Sequence, residues 1–140
     1  MSPIDRQLIH RKISLIEADM SQLRQYAKLS EEQYLSDKTA QLAVERLLER
    51  IVGRLLDINY HLLKEQTASL PQDYFDSFLA LSKEGIVSEE LSRRVAKSAG
   101  LRNVLAHEYD AIDERQVYAA IKFALTDVPE YLRAILAWLK

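Results

Sequence analysis

Residues 100 to 113 read Gly-Leu-Arg-Asn-Val-Leu-Ala-His-Glu-Tyr-Asp-Ala-Ile-Asp, which places Arg102, His107 and Tyr109 within eight residues. Arginine is a permanent cation whose planar fork of donors grips phosphate. Histidine is the side chain that most readily moves a proton near neutral pH. A fixed phosphate grip beside a proton carrier is the equipment of phosphodiester chemistry. The rest of the chain must be the scaffold that positions it.

The run Arg-Asn-Val-Leu-Ala-His-Glu-Tyr, followed by Ile112 and Asp113, resembles the R-x4-H-x-Y motif of HepT-like toxins in the HEPN superfamily. That superfamily consists of small all-helical ribonucleases. The resemblance extends through nearly the whole chain in length and helix order, but only the motif is sharp. It implies a metal-independent endoribonuclease without a cofactor, acting on RNA as a homodimer whose motifs line a cleft between protomers. It also implies the toxin role in a type II toxin–antitoxin pair, the partner being a small nucleotidyltransferase antitoxin of the MntA type. Carried over by residue, Arg102 and His107 are the catalytic candidates, and Tyr109 is the tyrosine that the antitoxin modifies with AMP. Asn103 also fits the pattern, and Asp57 with His61 is similar to an acid–histidine pair in some members. The competing reading is a non-catalytic helical binding module that docks on a nucleotidyltransferase.

Five residues on an ideal helix turn through about 140°, so Arg102 and His107 on one unbroken helix point different ways. Either the motif spans a helix end, or the two act together across a dimer. Cleavage of RNA without a metal needs a base for the ribose 2′-OH, a cation for the phosphate charge and an acid for the departing 5′-oxygen. His107 suits the base or the acid, and Arg102 suits the cation. The expected product is a 2′,3′-cyclic phosphate. AMP on Tyr109 would add bulk and negative charge at the mouth of such a cleft and keep RNA out.

Composition narrows the alternatives. The 140 residues suit a single domain spanning 1–140, and 48% apolar with 29% charged residues favours a folded chain. There is no cysteine, so no disulfide, thiol nucleophile or cysteine-based zinc site exists. The His and acidic residues form no recognisable metal-ligand set. Arg6, His10, Arg11 and Lys12 interrupt the apolar N-terminal residues, which argues against a signal peptide. No run approaches the roughly 18 apolar residues of a membrane span, so a cytoplasmic protein with no membrane partner is expected. A net charge of −2 argues against coating nucleic acid by bulk electrostatics.

The positioning elements all read as helices, in a bundle of about five. Three Gly and three Pro leave few sites for tight turns. Ile9, Ile13, Ile16, Met20, Leu23 and Ala27 form a first apolar stripe from near Pro3, with His10 off it and exposed. Ser30 to Gln33 reads as a capping box opening a short helix or turn. A long helix starts at Ser36–Asp37 and carries Val44, Leu48, Ile51, Leu55, Ile58 and Leu62, widened by Leu47, Val52, Leu56 and Leu63. Its breadth suits the middle of a bundle or a subunit interface. Gly53 inside it suggests close approach of another helix. Arg46, Arg50 and Arg54 form an i, i+4 ladder that could be an RNA-facing ridge; with Glu49 and Asp57 at hand as partners, a salt-bridged outer face is the favoured reading. Gln66 to Pro71 is a connector.

A third helix is expected from Gln72 to Glu84, with Tyr74, Phe75, Phe78, Leu79 and Leu81 as its apolar side and Gly85 ending it. Ser88 caps the next, whose Arg93, Arg94 and Lys97 make the densest basic patch. Arg94 and Lys97 are candidates for holding RNA phosphates; a charged outer face is an equal reading. Asp113 to Gln116 reads as another capping box. The final stripe, Val117 to Leu139, keeps phase across Pro129 and predicts one kinked helix, with Trp138 closing the bundle.

Overall fold

A computed structural model describes residues 4–67 and 70–140, with the backbone alone at Tyr109. Pro3 and part of the connector between Gln66 and Pro71 lie outside the described residues. The elements are α1 (Arg6–Tyr26), α2 (Glu31–Leu35), α3 (Lys38–Gln66), α4 (Tyr74–Lys83), α5 (Glu89–His107), one 3-10 turn (Tyr109–Ala111) and α6 (Glu114–Leu139). The protein is all-α, and no strand occurs among the described residues.

Local chemistry sets the helix starts. At α2 the Gln33 N–H donates to Ser30 Oγ at 3.1 Å, and Gln33 Oε1 accepts from the Ser30 N–H at 2.9 Å, a complete capping box. Asp37 caps α3 through the Ala40 N–H at 3.0 Å, and Ser88 caps α5 through the Leu91 N–H at 3.2 Å. At α6 Asp113 instead accepts from the Arg115 N–H at 3.0 Å. The return bond from Gln116 that a full box requires is not made among the described residues. Where α4 ends, Gly85 takes φ +74°. The Ile86 N–H reaches the Leu81 carbonyl at 3.0 Å and the Gly85 N–H the Ser82 carbonyl at 3.1 Å. That double bond pattern requires a left-handed residue, which glycine adopts without a Cβ penalty.

Helix α3 is the central element. Its Val44, Leu48, Ile51, Leu55, Ile58 and Leu62 are buried against α1, α4, α5 and α6. The stripe of α1 is buried from Ile9 to Leu23, but the helix ends at Tyr26, so Ala27 caps it and is exposed. On α4, Phe78 and Leu81 are buried while Phe75 is 43% exposed, which removes Phe75 from the expected apolar side. His10 is exposed. Helix α6 continues through Pro129 as one helix, and Trp138 packs partly buried against the core.

One polar chain crosses this apolar interior. The Tyr131 hydroxyl on α6 donates to Asn59 Oδ1 on α3 at 2.7 Å. Asn59 Nδ2 donates to Ser77 Oγ on α4 at 3.1 Å, and Ser77 Oγ donates to the Tyr74 carbonyl at 2.7 Å. The side-chain polar atoms of Tyr131, Asn59 and Ser77 all have a partner here, as burial demands. Its effect is to fix the first turn of α4 relative to α3 and α6.

Candidate phosphodiesterase site

Arg102 lies on the last turns of α5, and His107 is that helix's final residue. The Glu108 N–H closes on the Val104 carbonyl at 2.9 Å, and Tyr109 begins the 3-10 turn that follows. His107 and Asn103 are exposed, whereas Arg102 is partly buried. The Tyr109 side chain lies outside what the structure describes. Arg102 and His107 therefore share one helix, about 140° apart around its axis. Joint action on one phosphate within a single chain is disfavoured by that angle.

Arg102 is held by an aromatic ring. Its guanidinium carbon sits 5.4 Å from the Tyr74 ring centroid, a cation–π contact. The Tyr60 ring meets Tyr74 edge-on at 6.2 Å. Arg102 Nε is buried and has no hydrogen-bond partner, and the side chain makes no ion pair among the described residues. Sequence reasoning assigned Tyr74 to the core and missed this role. No local pattern announces a contact between residues 28 positions apart.

In front of Arg102 opens a groove of about 300 Å³, bordered by Lys12 of α1 and by Arg46, Arg50, Gly53 and Arg54 of α3. Glu49 and Asp57 are its only acidic lining residues among those described. The arginine ladder is salt-bridged, but only partly as its spacing suggests. Arg46 pairs with Glu49 at 3.0 Å. Arg50 and Arg54 both reach across to Asp19 of α1, at 3.1 and 2.8 Å. Asp57, the expected partner of Arg54, pairs with Lys12 at 2.8 Å instead. A Cβ added at Gly53 would meet nothing within 4 Å, so close helix approach does not account for that glycine.

Of the remaining described candidates only Asp57 lines this groove, beside Arg102. His61, one turn further on, accepts the Asp5 N–H on Nε2 at 3.0 Å and does not line it. That bond leaves Nδ1 to carry the proton of a neutral ring. Arg94 turns to α6, donating to Asp127 at 3.0 Å and Glu130 at 3.2 Å. Arg93 pairs with Glu89 at 2.9 Å. Lys97 is exposed without an ion pair among the described residues, bordering a mostly apolar hollow of about 310 Å³ between α3, α5 and α6. Among the described residues no three His, Asp or Glu side chains are grouped to hold a metal ion. No described helix is long and apolar enough to cross a membrane.

Known proteins resemble this chain in sequence and fold. The chain is 39% identical over 139 residues to the tRNA nuclease HepT of Aphanizomenon flos-aquae, covering 99% of this chain and 95% of that protein. It is 29% identical over 131 residues to the mRNA nuclease HepT of Shewanella oneidensis, covering 93% and 97%. A solved structure of the tri-AMPylated Shewanella oneidensis HEPN toxin in complex with its MNT antitoxin superposes with a TM-score of 0.83 at 28% identity, over 93% of this chain and 97% of that one. The family described as Ribonuclease HepT-like matches residues 16–135. With the motif at the end of α5 and the helix order both in place, the chain belongs to the HepT-like ribonuclease family.

Proposed function

We propose that this protein is a metal-independent endoribonuclease, the toxin of a toxin–antitoxin pair, and that Arg102 and His107 carry its chemistry. One observation supports this most directly. The Arg102 guanidinium is seated on Tyr74 with no anion of its own, facing a groove rich in cations. A partly buried arginine without a carboxylate partner is costly, and a phosphate is the ligand its fork fits.

In the proposed reaction His107 takes the proton of the ribose 2′-OH. The 2′-oxygen then bonds to phosphorus while Arg102 stabilises the phosphorane charge. The bond to the 5′-oxygen breaks, that oxygen gains a proton, and a 2′,3′-cyclic phosphate remains. A homodimer supplies both histidines, one as base and its counterpart as acid, which the divergent directions of Arg102 and His107 on one helix favour. Asn103 lies beside Arg102 in sequence and serves substrate contact. Tyr109 is the proposed AMP acceptor of a nucleotidyltransferase antitoxin, placed directly after the helix end that carries His107.

The deciding experiment is cleavage of total RNA by purified protein in EDTA, beside Arg102→Ala and His107→Ala. Cleavage by the parent alone, leaving cyclic phosphate ends, is expected. Loss of roughly 100-fold or more in rate is the scale of removing a positioned acid or base. Equal cleavage by all three proteins would refute the assignment. Absence of cleavage by unmodified parent would favour a binding module instead.

A further inference from the structure

The groove over Gly53 carries cations beyond the one at Arg102. Its lining sets five cations (Lys12, Arg46, Arg50, Arg54 and Arg102) against two carboxylates, Glu49 and Asp57, with a third, Asp19, paired to Arg50 and Arg54 from α1. That local excess of positive charge stands on a chain whose formal net charge is −2. The cations are not equally engaged. Arg54 is 18% exposed and bound to both Asp19 and the Leu15 carbonyl, so it is a structural residue. Arg46 and Arg50 are 68% and 41% exposed, and each has a single carboxylate partner. One helical turn separates them, a rise of about 6 Å. Successive phosphates of an extended single strand have similar spacing.

Gly53 follows Arg50 by three residues and lines the same groove. Glycine in a helix interior costs about 1 kcal/mol against alanine, and no packing contact explains it, because an added Cβ would stand in open space. What the glycine does is keep the groove open: any longer side chain there would project into it.

From these features we infer that the part of the groove over Gly53 is a phosphate subsite adjoining Arg102, which lines the same groove. There Arg46 and Arg50 hold backbone phosphates of the RNA strand next to the one gripped by Arg102. The inference rests on the ribonuclease reading and assigns its substrate a single-stranded path along α3. Asp19 contributes from behind, by fixing Arg50 with its head toward the groove rather than by touching RNA.

The test measures binding of a fluorescent single-stranded 2′-O-methyl oligonucleotide, which cannot be cleaved because its 2′-oxygen is blocked. Affinity is followed against salt for the parent, Arg46→Ala/Arg50→Ala and Gly53→Leu, with RNA cleavage in EDTA read in parallel. Each lost phosphate contact lowers the slope of log affinity against log salt by about 0.7 for single strands. The double variant is therefore expected to lose about 1.4 from the slope, with at least tenfold weaker binding at low salt. Gly53→Leu replaces a poor helix former with a good one and so retains the fold, yet it is expected to weaken binding by filling the groove. Parent-like affinity and slope in both variants would overturn the subsite, and if the parent still cleaves RNA the ribonuclease reading stands. Groove-dependent binding without any cleavage would keep the subsite and remove the nuclease. No binding by the parent, or variants that lose only the nucleotidyltransferase antitoxin while binding oligonucleotide normally, would overturn it in favour of a protein-docking surface.

Discussion

The Arg102 guanidinium stacks on the Tyr74 ring at 5.4 Å, and the Tyr74 backbone is the end point of the buried chain from Tyr131 through Asn59 and Ser77. The proposed phosphate grip on α5 is thereby tied to α3, α4 and α6. The ring supplies a flat, apolar seat that limits the arginine's rotamers without neutralising its charge. A carboxylate in the same place would compete with substrate for the fork.

Replacing the seat tests this directly. Tyr74→Leu keeps apolar bulk and removes the ring quadrupole, a loss of about 1 kcal/mol at a half-buried site. The expected result is about a fivefold fall in kcat/KM, mostly in kcat, since Arg102 is left misaligned in the transition state. Tyr74→Phe retains the ring and should stay within about twofold of the parent. Equal losses in both variants would assign the effect to the hydroxyl and refute the cation–π seat.

The buried chain makes a separate prediction about stability. Burial pushes the Tyr131 phenol well above its ordinary value, so it remains a donor at every working pH. Tyr131→Phe leaves Asn59 Oδ1 buried without its donor, at a cost of roughly 1–2 kcal/mol. For a chain of this size the thermal midpoint should fall by about 3–6 °C. An unchanged midpoint would mean that Asn59 finds another donor and that the chain is dispensable.

The contrast between what was and was not legible in the sequence follows from contact range. Ser30, Asp37, Ser88 and Asp113 cap helices through bonds within three residues, and the apolar stripes of α1, α3 and α6 need only periodicity, so all were readable. The placement of His107 at a helix end was also readable, although Arg102 and His107 stay on one helix, so the helix end does not turn them toward each other. The partners of Arg50 and Arg54 were not, since Asp19 lies on another helix and the nearer Asp57 is taken by Lys12. Tyr74 was invisible for the same reason. A ring that seats an arginine and a ring that fills a core share one pattern, and only tertiary contact separates them.

Arg94 distinguishes a basic patch from a basic site. Its guanidinium is committed to Asp127, whose side chain is 8% exposed, and to Glu130 on α6. Arg94→Ala would strand a nearly buried carboxylate, costing roughly 2–3 kcal/mol of stability. The salt slope of oligonucleotide binding should not move. A slope lower by about 0.7 would instead make Arg94 a phosphate contact.

The exit of the motif carries a pH-sensitive anchor. Glu114 opens α6 three residues after the turn Tyr109–Ala111, and it accepts the Tyr34 hydroxyl at 2.7 Å. Glu45 of α3 shares this site. Burial, then the hydrogen bond and charge of Glu114, push its carboxyl up to about 7, with Lys38 opposing. An unfolded glutamate releases its proton near 4.5. Between those values the folded chain holds a proton that the unfolded chain has lost, so stability falls as pH rises through this window. The contribution is fully present below about 4.5 and gone above about 7. Glu45→Gln never carries the charge and keeps a donor for Glu114. Its thermal midpoint should exceed the parent's by a few degrees at pH 8, with a flatter profile between pH 5 and 7. Parallel profiles for the two proteins would show that the carboxyl pair holds no shared proton.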